Sequence, residues 1–208
     1  MESRELVRQG RKCFESREFE QAYMFYLEAI HMDQNGDAYY GLGQLYYYGN
    51  YVRKDRCKAF ELYETADEMG ADMPSYEYIY LGDQRHLGQY LDVDDDLAIK
   101  WYKRATEEGE SFGYECLGDI YFAREDYKSA FECFSSVKKG TPCAKYHLGY
   151  MYEKGLYVEQ DIQKAVEYYE SIIYSGDKYD KIDDHYHLAK ERLSGLDKSI
   201  LTGDLTTS

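Results

Sequence analysis

The chain has 208 residues, 40 acidic against 25 basic side chains for a formal charge of −15, 26 tyrosines and 2 prolines. No run approaches the ~20 consecutive apolar residues of a membrane-spanning helix, and the N-terminus lacks the apolar core of a secretory signal. The charge opposes nucleic-acid phosphates, and 17% aromatics is more than a chain without a core carries.

Taken in chain order, one pattern recurs five times. The first unit, about 1–34, has Gly10, then Ala22 twelve residues on, then Tyr26. The second, 35–72, has Leu42-Gly43, with Ala59 sixteen residues after the glycine and then Tyr63, across the loop Gly49-Asn50-Tyr51-Val52. The third, 73–109, repeats the longer spacing with Leu81-Gly82, Ala98 and Tyr102 and the loop Gly88-Gln89-Tyr90-Leu91. The fourth, 110–140, returns to the shorter one with Leu117-Gly118, Ala130 and Phe134. The fifth, 141–176, has Leu148-Gly149, Ala165, Tyr169 and the loop Gly155-Leu156-Tyr157-Val158. Residues 177–196 predict a capping helix over the last hairpin, and 197–208 a flexible tail. Residues 1–196 thus read as a single repeat domain.

The spacing of apolar residues is helical (Ala22, Phe25, Tyr26, Ala29, Ile30), with no strand-like alternation. Two discrete glycine-to-alanine distances predict one helix–turn–helix unit with a short or a longer loop. Asp55, Asp94 and Asp161, each four residues before the alanine, are placed to cap a second helix. Gly49, Gly88 and Gly155 are exits from the first. The repeat glycine lets the two helices approach, the alanine opposite does the same, and the aromatic one turn later fills the wider part of the wedge. Such a hairpin cannot bury its apolar face alone, so neighbours stack. The expected fold is an all-α solenoid.

The second unit carries Ala38, Leu42, Gly43, Tyr46, Gly49, Val52, Asp55, Lys58, Ala59, Tyr63, Ala66 and Gly70, and the fifth repeats the series from Ala144 to Gly176. This pattern resembles the Sel-one-like repeat. The first and fourth units resemble tetratricopeptide repeats, with Phe19 and Tyr127 before the second helix. Tyr51, Tyr90 and Tyr157 depart from the family pattern, standing where a second loop glycine is usual. The resemblance implies a right-handed superhelix and scaffolding: a concave face, mainly from the first helices, that receives a peptide or a protein surface.

Placing the first helices in tetratricopeptide register predicts the concave positions. They are Asp37, Tyr40, Gln44, Tyr47 and Tyr48 in the second unit, and Tyr76, Ile79, Asp83, His86 and Leu87 in the third. The fourth offers Phe112, Glu115, Asp119, Phe122 and Ala123, and the fifth Tyr146, Tyr150, Glu153 and Lys154. Tyrosine buries much area for little side-chain entropy and keeps a hydroxyl, which suits it to contact. Tyr46, Tyr63, Tyr102, Tyr121 and Tyr169 fall at packing positions instead. A carboxylate clamp of the chaperone-binding kind needs Lys, Arg and Asn. The matching positions here are Tyr40/Gln44, Ile79/Asp83, Glu115/Asp119 and Tyr146/Tyr150, which would repel an acidic terminus.

Residues 61–96 hold eleven acids and one base, Arg85. Glu61, Glu64, Asp67 and Glu68 form an acidic edge that is either a solvated face or a docking patch for a basic partner. The five cysteines form no C-x-x-C pair, and His185 and His187, two apart, do not share a helical face. No metal, cofactor or disulfide framework is therefore expected, and a reducing cytoplasm is. No nucleophile or phosphate-binding motif occurs, so no enzymatic activity is expected. Two functions stay open: a protein-binding adaptor, and an acidic decoy that imitates nucleic acid to block a basic protein. Self-association is a third reading. No nucleic-acid binding and no direct membrane insertion are expected.

Overall fold

The computed structural model describes residues 2–174 and 184–202, with side chains through 196. These residues form eleven helices and no strand: α1 (Ser3–Glu15), α2 (Phe19–Asp33), α3 (Gly36–Tyr48), α4 (Arg56–Glu68), α5 (Ser75–Leu87), α6 (Asp95–Glu107), α7 (Phe112–Ala123), α8 (Tyr127–Ser136), α9 (Pro142–Lys154), α10 (Ile162–Ile173) and α11 (Asp184–Thr202). They divide into two compact units between Glu108 and Gly109, the first holding α1–α6 and the second α7–α11. None of these helices is long and apolar enough to cross a membrane. The capping helix expected over 177–196 begins at Asp184 and continues to Thr202, into the expected tail; 177–183 and 203–208 lie outside the described residues. Leu193, Leu196 and Ile200 keep a helical apolar spacing through that stretch.

Each odd-numbered helix from α1 to α9 pairs with the even-numbered helix after it, and the capping signals act as the sequence implies. Asp55, Asp94 and Asp161 each accept a hydrogen bond from a backbone N–H two or three residues on, at 2.9–3.0 Å. Gly49, Gly88 and Gly155 end α3, α5 and α9 in the left-handed conformation.

The packing mark is tighter than the sequence conveys. The aromatic of each second helix lies on the repeat glycine itself, not in a wedge beyond it. A Cβ built on Gly10, Gly43, Gly82, Gly118 or Gly149 would meet the ring of Tyr26, Tyr63, Tyr102, Phe134 or Tyr169 at 2.6, 2.6, 2.3, 2.5 and 2.8 Å. The alanines beside those rings (Ala22, Ala59, Ala98, Ala130, Ala165) are wholly buried.

The loop tyrosines resolve differently from one another. Tyr51 and Tyr157 take left-handed φ values of 63° and 65°, a conformation that costs an L-residue about 1–2 kcal/mol. Ring packing offsets that cost: Tyr51 sits 5.4 Å from Tyr23 and Tyr157 sits 5.7 Å from Phe131, centroid to centroid. Tyr90 instead stacks on Phe60 and accepts a hydrogen bond from Arg56 at 2.7 Å.

Candidate functional site

In the first unit the predicted concave residues separate into a buried polar centre and an exposed aromatic set. Tyr40, expected to face a groove, is buried. Its hydroxyl donates to Glu77 Oε1 at 3.1 Å and accepts from Gln44 Nε2 at 3.2 Å, and its ring packs on Tyr63 at 5.2 Å. Ile79 is buried too. Tyr47 is held in place by Phe60, Tyr48 and the Arg56 guanidinium, which lies between the Tyr47 and Tyr90 rings at 5.3 Å from each. Asp37 binds Arg11 and the backbone N–H of Asp72, Asp83 accepts from the Tyr102 hydroxyl at 2.8 Å, and His86 contacts Asp95 at 2.7 Å. These side chains are committed to the fold.

The exposed set is Tyr48 on α3 with Tyr76, Tyr80 and Leu87 on α5. Tyr48, Tyr76 and Tyr80 are 59%, 50% and 49% exposed against 7% for Tyr40. They share one electrostatic neighbourhood: burial raises the Tyr48 hydroxyl, and the charges of Glu77, Tyr76, Tyr47 and Tyr80 raise it further. Tyr76 and Tyr80 meet edge to face at 6.2 Å. Tyr80 lies one turn beyond Tyr76 on α5, outside the tetratricopeptide register, which is why the register missed it. Glu77 was missed because a glutamate at helical spacing gives no sign of burial.

Desolvation holds the Glu77 carboxyl above its ordinary 4.5, with the Tyr40 hydrogen bond opposing in part. A raised folded pKa means that the native state keeps its proton longer than the unfolded chain. Stability from this group is therefore full below pH 4.5 and is lost as pH rises through the folded value. Glu77→Gln keeps an acceptor for Tyr40 and is expected to gain on the wild type as pH rises from 4.5 to 7.5 in urea unfolding. An equal gap at both pH values would show that the carboxylate is not desolvated.

Two of the four acids of the edge are paired within the unit. Glu64 receives both Nε and Nη2 of Arg85, at 2.7 and 2.6 Å, and Asp67 lies 3.7 Å from Lys100 and 3.9 Å from Arg104. Only Glu61 and Glu68 of the four are exposed. Sequence distance hid the Asp67 pairs, because Lys100 and Arg104 lie outside the 61–96 window and fold back onto it from α6.

In the second unit the chain covers its own predicted face. Tyr146, Tyr150 and Glu153 on α9 meet α11: Tyr146 packs on His185 at 5.6 Å, and Arg192 lies 4.9 Å over the Tyr150 ring. Glu153, expected to be accessible, is buried, accepts from the Tyr169 hydroxyl at 2.9 Å and pairs with Lys154 and Arg192. Phe122 on α7 packs against His147 and Tyr150. Glu115 accepts from the hydroxyl of Thr141, the residue that caps α9. Phe112 and Asp119 are exposed. The side chains of Cys143, His147 and His185 converge, and Asp119 lies beside the first two. Burial, with the nearby His185, pushes the His147 imidazole down to about 4, so it is neutral at pH 7.

Comparison with known proteins follows the same repeats. The family model for the Sel1 repeat matches residues 36–70, 78–110 and 144–177. A crystal structure of a protective antigen from uropathogenic Escherichia coli with an SLR fold superposes at a TM-score of 0.59, with 29% identity over 86% of this chain and 39% of that one. A Sel1 repeat protein from Oxalobacter formigenes superposes at 0.58, with 26% identity over 82% of this chain and 71% of that one. Among curated proteins, the ERAD-associated E3 ubiquitin-protein ligase component HRD3 of Candida glabrata is 37% identical over 78 residues, 37% of this chain and 9% of its own length. HRD3B of Arabidopsis thaliana is 27% identical over 139 residues, 60% of this chain and 23% of its own. The chain thus spans less than a quarter of either curated relative.

Proposed function

We propose that this chain, which belongs to the Sel1 repeat family, is a non-catalytic adaptor that holds a protein or peptide on the tyrosine face of its first unit. The observation that carries this reading is the exposed trio of Tyr48, Tyr76 and Tyr80 above the buried Tyr40–Glu77 pair. Large aromatics half out of the surface, set on a rigid hydrogen-bonded floor, are what a contact surface needs: area at low entropic cost and hydroxyls that stay satisfied. Two similar proteins being described as components of a ligase agrees with a role in assembly. The exposed Glu61 and Glu68 on α4 favour a partner with basic character.

The decoy reading has less support. Imitating nucleic acid requires unpaired negative charge, and Glu64 and Asp67 already face Arg85, Lys100 and Arg104. The test is capture from native cell extract with the wild type and a Tyr48→Ala/Tyr76→Ala/Tyr80→Ala variant. An adaptor keeps one partner at high salt, and the variant loses it by about tenfold or more. Retention by the variant, or only salt-labile binding of many basic proteins, would refute the proposal.

A further inference from the structure

We propose that Cys143, His147, His185 and Asp119 form a tetrahedral site for a divalent transition-metal ion, zinc by the choice of donors. The spacing of His185 and His187 argues against a clamp between those two, but the second unit pairs His185 with other residues. Cys143 and His147 stand at i and i+4 on α9, one face of one helix. His185 comes from the first turn of α11 and Asp119 from α7. One donor atom each from Cys143, His147 and His185 lies within 4.8 Å of the other two.

Asp119 completes the set. Its Oδ1 is 3.6 Å from Cys143 Sγ and 3.5 Å from His147 Nε2. An ion bound tetrahedrally at about 2.0–2.3 Å holds its ligand atoms about 3.3–3.7 Å apart. Two edges of the tetrahedron are therefore already at the required length. The edges among Cys143, His147 and His185, at most 4.8 Å, close by about 1 Å, a small rotation of side chains whose backbones stay in place.

The His147 ring is mostly buried, and its Nε2 reaches Asp119 Oδ1 at 3.5 Å, beyond an ordinary hydrogen bond. An ion at Nε2 would satisfy that nitrogen and leave the ring proton on Nδ1. The surroundings suit one. Phe134 stacks on the His147 ring at 4.7 Å and 2°, and Phe122 meets it edge-on at 4.7 Å, which fixes the ring and keeps water from that side. The exposed Asp119 leaves an entry path from solvent. A thiolate and a carboxylate balance a divalent charge, and mixed sulfur, nitrogen and oxygen donors select zinc over calcium or magnesium. Four protein ligands leave no open position, so the ion would be structural, fastening α11 to α9 and α7.

Cobalt(II) is the probe, added to the full chain after chelator treatment. The expected result is one equivalent bound, with intense visible d–d bands, a thiolate-to-cobalt charge-transfer band, displacement of both by zinc, and a zinc-dependent rise in Tm. Cys143→Ser removes the charge-transfer band. His185→Ala, at a half-buried position whose loss leaves the core intact, weakens binding by more than the roughly 100-fold upper range of an outer-shell loss. Circular dichroism confirms that both variants are folded. No cobalt uptake by the wild type, or wild-type binding and spectra in both variants, would overturn the site.

Discussion

Gly82→Ala is expected to destabilise the first unit by about 1–3 kcal/mol, and Tm to fall by about 2–4 °C for each of them. The sign is the informative part. In an open helix position the same change adds helix propensity and stabilises by about 0.5–1 kcal/mol. At Gly82 the new methyl would stand 2.3 Å from Tyr102 Cε1. The Tyr102 ring cannot yield cheaply, because it is 1% exposed and its hydroxyl is bonded to Asp83. Gly195 in α11 supplies the contrast, since a Cβ there meets nothing within 4 Å. Gly195→Ala is expected to be neutral or stabilising in the same urea titration. Gly82→Ala combined with Tyr102→Leu should cost less than the sum of the two single changes, because the shorter side chain vacates the space. Strict additivity would mean that the glycine and the ring do not oppose each other.

The same contact explains how much of the fold is legible in the sequence. Spacing alone reveals that Gly43, Gly82, Gly118 and Gly149 recur with Tyr63, Tyr102, Phe134 and Tyr169, because a repeat writes the same packing several times, but not that each ring lies on the glycine itself. The caps Asp55, Asp94 and Asp161 are legible for the same reason. What repeats only once is hidden. Tyr40 and Tyr47 stand at predicted groove positions, yet each is drawn inward by one residue, Glu77 for the first and Arg56 for the second. No periodicity announces Glu77 as buried. The Cys143–His147 pair has clamp spacing, but its third donor lies 38 positions on, on a helix outside the repeat. The register places residues on faces; it does not say which face the chain itself covers, and α11 covers Tyr146, Tyr150 and Glu153.

Glu153→Ala tests that last point, with an expected loss of about 2–3 kcal/mol. The carboxylate is 6% exposed and serves two elements at once: Oε2 accepts from the fully buried Tyr169 on α10, and Oε1 lies 3.5 Å from Arg192 Nη1 on α11. Removing it strands the Tyr169 hydroxyl, which costs about 1–3 kcal/mol when a buried donor has no acceptor. The Arg192 and Lys154 share is smaller, because both side chains are about 40% exposed and water screens them. Glu153→Gln keeps an acceptor for Tyr169 while losing the charge, so it should recover most of the stability and leave Arg192 unpaired. Hydrogen exchange separates the two effects. Glu153→Ala should speed exchange in both α10 and α11, whereas Glu153→Gln should speed it chiefly in α11. Unchanged stability in Glu153→Ala would return Glu153 to the partner-binding face on which its helical register first placed it.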